Sequence, residues 1–169
     1  MIEKAGIPTP KDLKKVLPSE ERLEQRACVI IECFERIPCN PCVDACPKSA
    51  IKIKGNINNL PQVDFEKCTG CGMCISACPG LAIFVVDKSY SSRTTNTNHD
   101  HGLVMLPYEF LPLPQKEDIV EGLSREGKKL CDAKVQRVLL TKKQDRTAII
   151  SILVPKDLVM EVRNIRVLK

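Results

Sequence analysis

Residues 68–79 read CTGCGMCISACP, so that Cys68, Cys71, Cys74 and Cys78 follow one another closely and a proline follows the last. Three cysteines with two residues between them let a tight loop present three sulfur atoms to one polynuclear metal centre. The fourth cysteine lies on a short helix and points away from that loop. This spacing, ending in Cys-Pro, is typical of thiolate ligation of [4Fe–4S] clusters.

The run belongs to one half of an internal repeat. The other half, upstream, contains CNPCVDACP at residues 39–47. Each half reads as a strand, a cysteine loop, a half-turn of helix ending in Cys-Pro, and a second strand. The halves align at Cys39 and Cys71, at Cys42 and Cys74, at Cys46-Pro47 and Cys78-Pro79, and at Ala50-Ile51 and Ala82-Ile83.

Two copies of the unit predict two clusters that exchange ligands. In runs of this type the fourth cysteine ligates the other cluster, so each half is expected to lend one thiolate to its neighbour. The predicted ligands of cluster 1 are Cys33, Cys39, Cys42 and Cys78, and those of cluster 2 are Cys68, Cys71, Cys74 and Cys46.

One ligand of cluster 1 departs from the pattern, because Arg36 stands where the run has its first cysteine. An enlarged loop can still bring Cys33 to the cluster. Cys28 is the alternative, but it begins the apolar segment CVII, where a free cysteine behaves as a small hydrophobe. A site with only three cysteines would hold a [3Fe–4S] cluster. Cys131 stands apart and is expected to be a packing residue.

The composition favours metal ligation over disulfides. Ten of the 169 residues are cysteines, and the N-terminus has no apolar stretch of a signal peptide, so a cytoplasmic location is expected. No apolar run approaches the roughly 18 residues of a membrane span. Structural zinc sites pair two Cys-x2-Cys knuckles across a long spacer, and the triple run does not match that spacing.

Charge and motifs exclude several function classes. The formal net charge is +5, but no lysine or arginine run is longer than two and aromatic residues make up only 4% of the chain. Nucleic-acid binding is therefore not expected. No nucleophile elbow, phosphate-binding glycine loop or paired catalytic carboxylates are recognisable. We expect no catalytic site within the chain itself.

The composition divides the chain into four parts: a helical arm at 1–27, the cysteine-rich part at 28–90, a polar linker at 91–101 and a β-rich part at 102–169. The predicted fold class is α+β: duplicated βαβ-like halves followed by a small, mostly-β domain. In the arm, Thr9 and Ser19 are predicted helix N-caps.

In the β-rich part, segments rich in β-branched residues predict strands at Val104–Leu106, Val135–Leu140 and Ala148–Val154. Prolines from Pro107 onward predict an interruption after the first of these strands. A short helix is predicted from Pro155 to Arg163.

Residues 28–90 resemble the bacterial-type 2[4Fe–4S] ferredoxin family, through CTGCGMCISACP and CNPCVDACP. That resemblance implies a compact pair of βαβ-like halves around two clusters, and one-electron transfer. The whole chain is similar to the iron–sulfur subunits that accompany FAD-dependent amino- or imino-acid dehydrogenases of the proline, hydroxyproline or sarcosine type. This similarity rests on ECFERIPCNPCVDACPKSAI, CTGCGMCISACPGLAIFVVD and PYEFLPLPQKEDIVEGL.

The second resemblance implies an electron-transfer subunit of a heteromeric oxidoreductase. Its partner would be an FAD-containing dehydrogenase subunit, with a [2Fe–2S] subunit as a possible third component. A freestanding dicluster ferredoxin is the alternative, and a structural or oxygen-sensing iron–sulfur protein is a second. The arm and the β-rich part favour a docked subunit, because a free carrier needs only the cluster core.

Overall fold

The structure is a computed structural model that describes residues 6–94 and 100–168. Between residues 6 and 27, the arm contains the short helices α1 (Pro10–Leu13) and α2 (Glu20–Gln25). Thr9 caps α1 through a hydrogen bond from the Asp12 backbone N–H, and Ser19 caps α2 in the same way. Both predicted caps are confirmed.

Nine strands and two further α-helices make up most of the remaining regular structure. The strands of the cysteine-rich part are β1 (Cys28–Ile31), β2 (Ile51–Lys52), β3 (Gln62–Val63) and β4 (Ile83–Asp87); the helices are α3 (Pro41–Asp44) and α4 (Tyr90–Arg93). The later strands are β5 (His101–Tyr108), β6 (Ile119–Leu123), β7 (Lys129–Leu139), β8 (Ala148–Pro155) and β9 (Asn164–Arg166). Short 3₁₀ turns cover Lys142–Gln144 and Lys156–Leu158.

Seven strands form one antiparallel sheet in the order β1-β4-β5-β8-β7-β6-β9. The sheet runs across the predicted boundary, because β4 of the cysteine-rich part pairs directly with β5. The predicted linker at 91–101 is partly taken up by α4 and the start of β5, and its residues 95–99 lie outside the described residues. The cysteine-rich and β-rich parts therefore share their sheet.

The shared sheet separates two apolar cores. On β4, Ile83 and Val85 pack in the core of the cysteine-rich part, whereas Phe84 faces the core of the β-rich part. Successive side chains on a strand point to opposite faces, so one strand contributes to both cores. β8 is buried along nearly its whole length, as expected for a central strand that is covered on both faces.

Within the cysteine-rich part, strand pairing follows the order of the repeat. β1, the first strand of the upstream half, pairs with β4, the last strand of the downstream half. The two inner strands, β2 and β3, pair with each other. The cysteine loops between these strands are thereby held together at one side of the sheet.

Two details of the β-rich part differ from the sequence prediction. Pro107 does not interrupt the first strand but lies within β5. Only Leu103–Met105 of β5 pair with β4, so at Pro107 the strand pairs with β8 alone, and a proline is tolerated where one side of a strand is unpaired. The helix predicted from Pro155 is reduced to the 3₁₀ turn Lys156–Leu158.

A buried ion cluster ties the two parts together. Glu32, which follows β1, accepts hydrogen bonds from Arg125 at 2.7 and 2.9 Å and from Arg163 at 2.7 Å. Arg163 is buried, and the side chains of Glu32 and Arg125 are only 7% and 11% exposed. Arg163 also stacks over the Phe84 ring at 5.0 Å. Charge-assisted bonds of this kind are strong when every charge is paired.

Candidate functional site: two thiol-lined cavities

Four cysteines from both halves of the repeat line one cavity. We call them the first thiol group: Cys33, Cys39, Cys42 and Cys78. Cys42 lies on α3, and Cys78 comes from the downstream half. The rest of this first cavity is mainly apolar, with Ile31, Ile37, Pro41, Pro61, Pro79 and Ile83 in its wall.

The other four predicted ligands line a second cavity. This second thiol group consists of Cys46, Cys68, Cys71 and Cys74. Cys46 lies two residues beyond the end of α3, whereas the other three come from the downstream loop. The structure thus brings the eight predicted cysteines together in the two sets of four that ligand exchange between the halves requires.

The two remaining cysteines lie elsewhere. Cys28 is fully buried in β1, opposite Val86 of β4, and lines neither cavity. Burial raises the pKa of its thiol to about 12. Cys131 is on β7 and packs against the core of the β-rich part. The structure places Cys33, and not Cys28, beside the other thiols, while its role as a ligand stays a prediction.

The thiols of each cavity act on one another electrostatically. Burial raises the pKa of Cys42 to about 11, and the nearby thiols of Cys78, Cys39 and Cys33 add to the rise. Burial raises the pKa of Cys74 to about 12, again with added effects of its own group. Metal ligation requires thiolates, so each cavity needs a strongly cationic occupant.

The arrangement of donors fits a cluster better than a single ion. Among residues 6–94 and 100–168, no three His, Cys, Asp or Glu side chains lie close enough to hold one metal ion. Tetrahedral zinc needs its four ligands to converge on a point. In a [4Fe–4S] cluster each thiolate binds a different iron. Four thiols line each cavity, one for each iron of such a cluster.

Backbone amides point at two sulfurs of the second thiol group. The Val29 N–H donates to Cys68 Sγ at 3.3 Å, and the Ala50 N–H donates to Cys46 Sγ at 3.3 Å. Hydrogen bonds to ligand sulfurs tune the reduction potential of a cluster. Sequence reasoning missed both donors, because every residue except proline has a backbone N–H and the residue type does not show where that N–H points.

Two glycines bring the downstream loop close to its neighbours. A Cβ on Gly70 would lie 2.8 Å from the Ala27 carbonyl carbon, and one on Gly72 would lie 2.7 Å from the Met105 Cε. Both glycines have positive φ, +66° and +78°. The loop of the second thiol group therefore packs directly against Ala27, the residue before β1, and against β5.

We expect Gly70→Ala to destabilise the cluster-loaded protein strongly. A side chain in the left-handed region costs about 1–2 kcal/mol, and the clash with Ala27 adds about 1–3 kcal/mol. Gly127→Ala is the matched control, since Gly127 has φ +76° but nothing within 4 Å of a Cβ. Anaerobic thermal unfolding should show the larger loss for Gly70→Ala. Equal losses would contradict the close approach.

Comparison with protein families bears on the type of cofactor. Residues 35–82 match the model of the 4Fe-4S dicluster domain. This segment is a ferredoxin-type dicluster domain. It holds two [4Fe–4S] clusters, as the sequence predicted. The match begins after Cys33, so it does not bear on that ligand.

Several relatives share the dicluster domain. The ferredoxin-type protein NapF of Haemophilus influenzae is 43% identical over 56 residues, 32% of this chain and 32% of that protein. An uncharacterized ferredoxin of Methanocaldococcus jannaschii is 46% identical over 48 residues, 28% of this chain and 30% of its own. One component of the Na(+)-translocating ferredoxin:NAD(+) oxidoreductase complex of Acetobacterium woodii is 38% identical over 63 residues, 37% of this chain and 18% of that component.

The relatives named above match only part of the chain, between 28% and 37% of its length. The chain spans about a third or less of the length of these relatives. No solved structure matches the chain. Within the described residues, no helix combines the length and the apolar character that crossing a membrane requires.

Proposed function

We propose that the chain is an electron-transfer subunit that passes single electrons between a flavoprotein dehydrogenase and an acceptor. The observation that carries the proposal is the pair of adjacent four-thiol cavities in a dicluster domain. Cys42 and Cys46 are four residues apart, at α3 and just beyond its end, and line different cavities. Electrons on the two clusters are therefore separated by a short stretch of protein.

The residues around the cavities supply a protected path. Cys42, Cys68 and Cys74 are buried, while Cys71 is exposed beside Met73, whose side chain is 58% exposed. Burial excludes water from most of each cluster, and an exposed ligand offers a place where a partner can approach. The chain's own contribution is to hold, separate and tune the redox centres.

The partner in the proposal is an FAD-containing dehydrogenase subunit acting on an amino or imino acid, with a [2Fe–2S] subunit as a possible third component. The second resemblance supports it, as do the arm and sheet beyond the cluster core. The segment PYEFLPLPQ, part of that resemblance, ends β5 and exposes Phe110 at 61% and Leu111 at 86%. Exposed apolar side chains in one loop are typical of surfaces covered by a partner.

The assignment of Cys33 gives the first test. We expect Cys33→Ser to lower the iron content or to convert one cluster to a three-iron form, because it removes a thiol from the first group. Cys28→Ser and Cys131→Ser are matched controls and should keep about eight irons per chain. Iron analysis with electron paramagnetic resonance on the anaerobic proteins checks this. Loss of a cluster in Cys28→Ser alone would show that the assignment is wrong.

The partner is tested with the full, tagged chain recovered anaerobically from its native source. The proposal expects a co-purifying subunit with bound FAD, and reduction of the iron–sulfur chromophore when an amino or imino acid such as proline or sarcosine is added. A monomeric chain that dithionite reduces without any partner would favour a freestanding ferredoxin. Clusters that dithionite cannot reduce would favour a structural role. Either result would overturn the proposal.

A further inference from the structure

The two thiol groups are not equivalent in hydrogen bonding, although they come from a repeat. In the second group, Ala50 N–H donates to Cys46 Sγ. The matching residue of the other half is Ala82, and among the described residues no hydrogen bond joins its N–H to the Cys78 sulfur. In the first group the backbone of Glu35 hydrogen-bonds the Cys33 thiol, and one thiol of each group, Cys42 and Cys74, has a hydrogen bond from its own backbone.

A buried arginine adjoins the second group. Arg22 of α2 is 3% exposed and donates to the Cys68 carbonyl at 3.0 Å. Its other hydrogen bonds also end on backbone carbonyls, at 2.7–3.2 Å: those of Phe65, Arg26 and Ala27. No ion pair of the described residues includes Arg22. Its positive charge is therefore hydrogen-bonded but not neutralised by any carboxylate within salt-bridge distance.

Arg163, the other deeply buried arginine described above, has the carboxylate partner that Arg22 lacks. Arg163 is equally inaccessible, but Glu32 lies against it at 2.7 Å. A buried charge is costly without a counter-charge. A [4Fe–4S] core of charge about 2+ held by four thiolates has a net charge of about −2. Arg22 has no such carboxylate, but it is hydrogen-bonded to the loop that carries the ligand Cys68. The negative charge of the cluster on that loop can therefore compensate the charge of Arg22.

Surface charges differ in the same direction. Lys48 lines the second cavity, whereas Glu35 lines the first. Both are exposed, so screening by solvent weakens their effects. Positive charge and sulfur hydrogen bonds stabilise the reduced, more negative state of a cluster, and nearby carboxylates destabilise it.

We propose that Arg22 is the charge-compensating residue of the cluster in the second thiol group, and that this cluster has the higher reduction potential. The first electron taken up by the protein then resides there. One electron from the reductant lowers the core charge by one, and no atom is gained or lost. The inference rests on the ligand assignment under the proposed function, and it sets a direction: electrons enter at the first group and leave at the second.

The test is a redox titration of the full, cluster-loaded chain with dithionite as reductant, followed by electron paramagnetic resonance. We expect two potentials in the wild type. Arg22→Gln should lower the upper potential by about 59 mV or more, which is a tenfold change in the equilibrium constant for a one-electron reduction. The lower potential should stay nearly unchanged. Arg36→Gln is the matched control. Arg36 is on the loop of the first group but does not line its cavity, and it is exposed and bonded to Asn59 at 3.0 Å, so neither potential should shift by as much.

A second set of variants separates charge from structure. Arg22→Lys keeps the charge but not the forked hydrogen bonds, so its upper potential should stay close to that of the wild type. Lys48→Gln and Glu35→Gln change exposed residues and need no refolding of the core. Lys48→Gln should lower the upper potential, with about a threefold change in the equilibrium constant for reduction. Glu35→Gln should raise the lower potential, with a change of similar size.

Several outcomes would overturn the inference. These are a shift of the lower potential in Arg22→Gln, no shift in either potential, and an equal fall in Arg22→Lys and Arg22→Gln. If Arg22→Gln cannot be loaded with clusters, Lys48→Gln and Glu35→Gln test the inference instead. A shift of the lower potential in Lys48→Gln and of the upper potential in Glu35→Gln would show that the second group does not have the higher potential. A wild-type chain with fewer than about eight irons would instead show that the ligand assignment has failed.

Discussion

Replacing Cys78 with alanine is expected to remove a ligand from the first cluster, although Cys78 belongs to the motif that supplies three thiols of the second. The side chain of Cys78 lines the cavity of Cys33, Cys39 and Cys42. With three thiols left, that cluster should fall to a three-iron form or be lost. Iron analysis and electron paramagnetic resonance of Cys78→Ala should show one intact [4Fe–4S] cluster.

Double variants reveal which cluster has been lost. Cys39→Ala with Cys78→Ala removes two thiols from the first group and should leave about four irons in one intact cluster. Cys71→Ala with Cys78→Ala removes one thiol from each group and should damage both clusters. Cys46→Ala with Cys71→Ala mirrors the first pair within the second group. The reverse pattern, with Cys71 and Cys78 acting on one cluster, would refute ligand exchange between the halves.

Substituting Glu32 with glutamine should cause the largest loss of stability outside the clusters. Glu32 is the counter-charge of both Arg125 and Arg163, which are buried and come from the β-rich part. Breaking a buried ion pair by removing one partner costs about 3–5 kcal/mol, because a charge stays buried without compensation. For a chain of this size we expect the anaerobic unfolding midpoint to fall by roughly 6–20 °C.

Glu161→Gln serves as the control for Glu32. Glu161 also pairs with Arg125, at 3.2 Å, but its side chain is 57% exposed. Exposed ion pairs contribute little, at most about 1 kcal/mol, so the midpoint should hardly change. Because Glu32 is the chain neighbour of Cys33, loss of a cluster would also lower the midpoint. The comparison therefore requires that both variants keep the iron content of the wild type. A similar midpoint for the two proteins would contradict the view that Glu32 joins the cysteine-rich and β-rich parts.

The cysteine chemistry could be read from the chain because ligand spacing is local. A cluster needs thiols at separations that a single short loop provides, so the run ending at Cys78-Pro79 predicts the cofactor without knowledge of the fold. Helix caps at Thr9 and Ser19 are local in the same sense and are confirmed. The prediction at Pro107 is wrong because it assumes neighbours on both sides of β5, and one side is open at that point.

The amino-acid sequence by itself determined the type and number of the clusters, since three thiols of the downstream loop lie close together in the chain and the motif occurs twice. The repeat also predicted which cysteine each half lends to the other. Tertiary structure alone decided that one sheet serves both parts, and that Glu32 meets Arg163 across 131 positions. It also decided that Arg22 lies against the Cys68 loop without a carboxylate. Charge pairing in a core depends on which distant residues packing brings together, and no local pattern encodes that choice.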